Sequence, residues 1–180
     1  MGQKELGFFT GGKVSGFNHK FLAGVRNTDC VSGTENVALM VGMAAALKAA
    51  QENRQKYGES IRKIRDYFWV LLQQKVTGVS LNGLDTMSKS RLPNNLHVSF
   101  EGVESDSLIA YLDKFGIMCA AGSACSTESL EPSHVLMACG MSHEEAQCSI
   151  RFTLGKGNVK ADIEYAVEKI ADAVTSMRRL

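Results

Sequence analysis

Leu96-His97-Val98-Ser99-Phe100 is the stretch that decides the fold class. Leu96, Val98 and Phe100 alternate with His97 and Ser99, the period of two expected of a strand with one face on a core. Downstream, Ser105 is placed to cap a helix carrying Leu108, Ile109 and Leu112, with Gly116 as its stop. Ile117 to Ala120 reads as a short buried strand. A small-residue turn follows, Ala121-Gly122-Ser123-Ala124-Cys125, and then a polar segment, Ser126 to Glu131. Pro132 suits the first turn of a helix through Val135 and Leu136. Ser142 and Glu145 have capping-box spacing. Ile150, Phe152 and Leu154 alternate with Arg151 and Thr153, a second half-buried strand. A last helix would bury Ile163, Val167, Ile170 and Val174. This order predicts an α/β fold with a small mixed or antiparallel sheet packed against helices.

Upstream, Gly78, Asn82, Gly83 and Pro93 predict a short strand and turns over residues 76–93. Val37, Met40, Val41, Ala44 and Leu47 share one helix face, and Tyr57-Gly58 would end that helix. A second helix would carry Ile61, Ile64, Phe68, Leu71 and Leu72, giving an antiparallel pair. Residues 1–33 are rich in glycine and polar side chains and read as an irregular lead segment. The remainder, 34–180, reads as one domain.

Composition narrows the function classes. The 180 residues are 44% hydrophobic and 22% charged, with a net charge of +1. A near-neutral chain has no field to attract nucleic acid or an anionic membrane, so neither is expected as a partner. The longest apolar stretch, Val37 to Leu47, is too short to span a bilayer. The five cysteines, at 30, 119, 125, 139 and 148, are odd in number and irregularly spaced, with no C-x-x-C pair. A disulfide framework and a structural zinc site are both disfavoured, and a reducing, cytoplasmic setting is expected.

Four places carry candidate chemistry. Cys125 follows three small residues and precedes a polar segment, where a thiol is accessible; a nucleophilic thiol needs access and a fraction of thiolate. The plainer alternative is a small residue filling a turn. Arg151 points away from the apolar face of its strand, and its planar fork suits a carboxylate; the alternative is a solvated arginine. Ser32-Gly33-Thr34 precedes a helix, where free amides and a hydroxyl suit a phosphate, or where one hydroxyl is an N-cap. His134 stands in a first helical turn as a base or as a capping residue.

Several ordered blocks resemble the cysteine desulfurases, pyridoxal-phosphate enzymes of fold type I within the class-V aminotransferases. They are Ser32-Gly33-Thr34-Glu35-Asn36, Arg91-Leu92-Pro93-Asn94-Asn95, Gly122-Ser123-Ala124-Cys125 with its continuation to Leu136, and Ser149-Ile150-Arg151-Phe152-Thr153-Leu154-Gly155. The resemblance implies the carboxy-terminal small domain of such an enzyme. It implies that L-cysteine is the substrate, that Cys125 is the nucleophile and persulfide carrier, and that L-alanine leaves. It implies that Arg151 holds the substrate carboxylate and that Thr34 contacts the cofactor phosphate across a homodimer interface. The length of the segment between Cys125 and Pro132 resembles the group that hands sulfur to an iron–sulfur scaffold or another acceptor protein.

Departures accompany the match. Val31 stands where the family usually has an arginine, and a Gly-Gly-Gly-Gln-Glu-type run is missing near Ala23 to Asn27. Gly2 to Phe8 is faintly similar to the segment just after the family's cofactor lysine, so that lysine is expected to be absent from this chain. His19-Lys20 is similar to the family's His-Lys pair, but it lacks the turn that should follow and lies too near Thr34. Lys20 is therefore read as a surface lysine, and the isolated chain is expected to be inactive. A non-catalytic sulfur-relay or scaffold-docking module and a selenocysteine lyase fragment are the alternatives.

Overall fold

A computed structural model of the chain describes residues 36–121 and 133–179. The chain divides into two compact units, residues 1–49 and 50–180. In the first unit the described residues are the opening turns of helix α1 (Val37–Lys75). Val37, Leu39, Met40, Val41 and Leu47 are all exposed there. In the second unit the order is the rest of α1, β1 (Val79–Leu81), β2 (Asn95–Phe100), α2 (Ser105–Asp113), α3 (His134–Ala138), α4 (His143–Gln147), β3 (Ser149–Thr153) and α5 (Lys160–Met177).

The expected α/β fold with a small sheet on helices is what forms. The sheet has three strands in the order β1-β2-β3, and both pairings are antiparallel. Leu96, Val98, Phe100, Ile150 and Phe152 are buried together on one face. Phe68 and Leu72 of α1, Leu108 and Leu112 of α2, and Ile163, Val167, Ile170 and Val174 of α5 complete that core. The period of two on the strands and of 3.6 on the helices meet in one apolar layer. Phe68 sets its edge against the Phe152 ring at 5.1 Å, a favoured aromatic geometry.

Three expectations are corrected. The antiparallel helix pair is one continuous helix, because α1 passes through Gly58 without a break. A single interior glycine costs only about 1 kcal/mol, too little to end a helix whose later turns bury Phe68 and Leu72. Ile117 to Ala120 is not a buried strand. Met118 is 88% exposed, and only Ala120 pairs, in a single bridge to Arg151. Ser105 is not the cap of α2. Glu104 holds that position, and Ser105 is buried in the first turn. Gly116 does stop α2, at a φ of 71°, a left-handed conformation that suits glycine. The Ser142–Glu145 capping box also forms: Ser142 Oγ accepts from Glu145 N at 3.2 Å, and Glu145 Oε2 accepts from Ser142 N at 2.8 Å. The Ser142 backbone N–H, with the Ser142 side chain adding to it, holds the Glu145 carboxyl below its usual range.

Candidate functional site

The face of the sheet turned away from the core is polar. Arg151 lies on it, paired directly with His97 across β2 and β3. On its other side Arg151 exchanges backbone bonds with Ala120: its N donates to Ala120 O at 2.8 Å, and Ala120 N donates to its carbonyl at 3.2 Å. Arg151 is therefore held by both neighbours, and its half-buried side chain stands at the centre of a four-segment ribbon. Among the described residues its guanidinium forms no ion pair and no hydrogen bond. Its side chain is half-buried, and among the described residues no carboxylate pairs with it.

Beside Arg151 a hydrogen-bonded cluster organises the same face. Asn82 Nδ2 donates to His97 Nδ1 at 3.0 Å and to Ser149 Oγ at 3.1 Å. Ser99 Oγ donates to Asn82 Oδ1 at 3.0 Å, and Ser149 Oγ donates to Glu145 O at 2.7 Å. The Glu145 carbonyl in the middle of α4 thus covers Ser99 and Ser149, both buried, while His97 and Arg151 remain half-buried. Buried hydroxyls satisfied in this way cost little and fix their neighbours. Burial, aided by the charges of Arg151 and Arg91, holds the His97 imidazole neutral down to about 4.

Two buried arginines set the frame behind the cluster. Arg91 donates to Asn82 O at 2.6 Å and to Leu84 O at 2.9 Å. Arg65, fully buried, donates to Thr86 O at 2.7 Å and Leu92 O at 2.9 Å, and its charge is met by Asp66. Between them they meet four carbonyls of the loop, those of Asn82, Leu84, Thr86 and Leu92. A buried guanidinium is tolerated when its donors are used in this way.

Of the residues singled out from the sequence, Arg151 is placed on this face. Cys125, Thr34, Ser32, Lys20 and Cys30 lie outside the described residues. His134 is exposed at the start of α3. Cys139 and Cys148 follow α3 and α4 as their C-caps. Burial, with the Asp113 carboxylate adding to it, pushes the Cys119 thiol up to about 11, which leaves it a poor nucleophile at neutral pH. His97 and Asn82 were missed as site residues. The alternation of β2 already put His97 on the polar face, but the register that sets it opposite Arg151 is a tertiary fact.

The family model for aminotransferase class-V matches residues 10–166. The cysteine desulfurase IscS of Clostridium botulinum (strain Hall) is 38% identical over 149 residues, which are 83% of this chain and 37% of that protein. The cysteine desulfurase IscS of Dictyoglomus turgidum is 40% identical over the same length, with the same coverage. Among solved structures, a NifS-like protein superposes with a TM-score of 0.67 at 29% identity, covering 81% of this chain and 35% of its own. The chain spans a little over a third of the length of the curated relatives it matches. A match over most of the chain makes this chain a member of the aminotransferase class-V family.

Proposed function

We propose that the chain, from residue 34 onward, is the carboxy-terminal small domain of a cysteine desulfurase that serves iron–sulfur cluster assembly or another sulfur acceptor. One observation carries this reading: a half-buried arginine with no acidic partner among the described residues, on the polar face of the sheet, in a chain whose relatives are named cysteine desulfurases. Arg151 would hold the carboxylate of L-cysteine through its bidentate fork.

The donors on the described face suit a carboxylate. Among the described residues no lysine amine belongs to their network, and its guanidinium and imidazole donors fit the amino acid's carboxylate. Thr34 is the residue we assign to the cofactor's phosphate. When bound, the cofactor supplies an electron sink at the α-carbon of the amino acid. The Cys125 thiolate attacks the substrate sulfur. A sulfur–sulfur bond forms and the carbon–sulfur bond breaks, with its electron pair left on carbon. Protonation of that carbon gives L-alanine, and the persulfide stays on Cys125. Covalent connection supports the pairing of the two residues. Cys125 is five positions beyond Ala120 (125 − 120), a reach of at most about 18 Å from the bridge partner of Arg151.

We extend the reading to a homodimer in the cytoplasm. The exposed apolar run at the start of α1 supports the dimer, and the irregular spacing of the cysteines supports the compartment. The test is intact-protein mass spectrometry after incubation with L-cysteine, pyridoxal phosphate and a full-length cysteine desulfurase. The expected result is a gain of one sulfur on the wild type and none on Cys125→Ser. If wild type and variant both stay unmodified, Cys125 carries no sulfur and the reading is wrong. Sulfur gain that persists when the full-length enzyme is left out separates an active chain from a relay, and L-selenocysteine in place of L-cysteine tests the lyase alternative.

A further inference from the structure

His97 is a neutral imidazole with one nitrogen committed and one to spare. Asn82 Oδ1 accepts from Ser99, which turns its Nδ2 toward His97, and an amide nitrogen only donates. Nδ1 of His97 is thereby the acceptor, and the ring proton sits on Nε2. Nε2 has no hydrogen-bond partner among the described residues. Directly opposed residues on antiparallel strands have Cβ atoms about 5 Å apart, and His97 is directly opposed to Arg151. Asn82 is in turn pinned by Arg91 at its carbonyl and by its own N–H, which donates to His97 O at 2.9 Å. The chain Arg91–Asn82–His97 therefore ends in a fixed N–H donor beside an unanswered guanidinium.

We propose that His97 is a second carboxylate donor of the Arg151 site, its Nε2–H binding the α-carboxylate of the amino acid alongside the guanidinium. The inference rests on the reading of Arg151 as the carboxylate residue. Chemistry favours this division of labour. A cation gives the attraction, and a neutral donor adds direction without a second positive charge to desolvate. An imidazolium there would be repelled by both Arg151 and Arg91, and those two cations are the charged groups that act on it. A fixed neutral donor also discriminates, because a ligand without an acceptor leaves the N–H unpaired.

The two halves of the ring can be tested separately. Asparagine places an acceptor near Nδ1 and drops the Nε2–H, whereas glutamine places an amide donor near Nε2. Nitrogen-15 spectra of the full chain would be recorded with L-alanine as the carboxylate probe and L-alaninamide as the control. At pH 7 the His97 resonances should show Nε2 protonated and Nδ1 bare, and the Nε2–H signal should shift with L-alanine and not with L-alaninamide. His97→Asn should weaken L-alanine binding roughly tenfold, as expected for one hydrogen bond to a charged group, and His97→Gln should restore most of it. Equal binding by wild type and His97→Asn, or a proton on Nδ1, overturns the inference while leaving Arg151 intact. If Arg151→Lys binds L-alanine as well as the wild type does, or the wild type fails to bind it, the carboxylate reading itself fails and takes this one with it.

Discussion

At the scale of single residues, His97 links the site to acid stability. Its folded-state pKa of about 4 lies below the ordinary 6.5, so between those values the unfolded chain takes up a proton that the native chain refuses. Stability from this group is complete above about 6.5 and is lost as pH falls toward about 4. Urea midpoints at pH 7 and pH 4.5 should differ less in His97→Asn than in the wild type. An equal difference would mean that the imidazole is not shielded as its neighbours suggest. Arg151 was legible in the sequence because a strand period assigns each residue a face. His97 was on the same face and equally visible, yet its partner was not, since cross-strand register depends on contacts between segments far apart in sequence. Asn82 looked like a turn residue, which it also is; its amide role depends on Ser99 and Ser149 arriving from two other strands.

At the scale of elements, most local signals were legible in the sequence, the N-cap of α2 being off by one residue. The capping box on α4, the glycine stop of α2 and the buried stripe of α5 all follow from neighbours within four residues. The larger misreadings came where tertiary packing outweighs propensity. Gly58 punctuates the sequence without breaking α1, and the apolar Ile117–Ala120 run is half-buried except for the exposed Met118, joined to the sheet by one bridge. The same distinction predicts a ranking of mutations. Phe152→Ala empties a site packed by Phe68 and should cost about 3–5 kcal/mol, while Ser142→Ala removes one cap and should cost about 1 kcal/mol. Thermal unfolding of the two variants measures the contrast. A larger loss from Ser142→Ala would place the cooperative core elsewhere than the strand–helix layer.

At the scale of the molecule, the small sheet divides its labour by face. One side is sealed by α2, α5 and the end of α1, and the other is left to polar groups that α4 covers in part. Among the described residues no helix is long and apolar enough to cross a membrane. The exposed apolar residues Val37, Leu39, Met40, Val41 and Leu47 nonetheless form a turn-after-turn patch that water solvates poorly. Sedimentation of the full chain should show a dimer, and Val41→Glu should shift it toward monomer. A wild-type chain that stays monomeric at high micromolar concentration would remove the homodimer from the proposal.

The single bridge between Ala120 and Arg151 has a consequence for encounter frequency. A thiol tethered five residues from that point is confined to a volume of radius at most about 18 Å, which corresponds to an effective concentration on the order of tens of millimolar near the arginine. Under the proposed function, the thiol and the amino acid held at Arg151 would thus meet at a rate set by the tether and not by the bulk concentration of protein. Two backbone hydrogen bonds on one alanine are enough to fix the anchor of that tether.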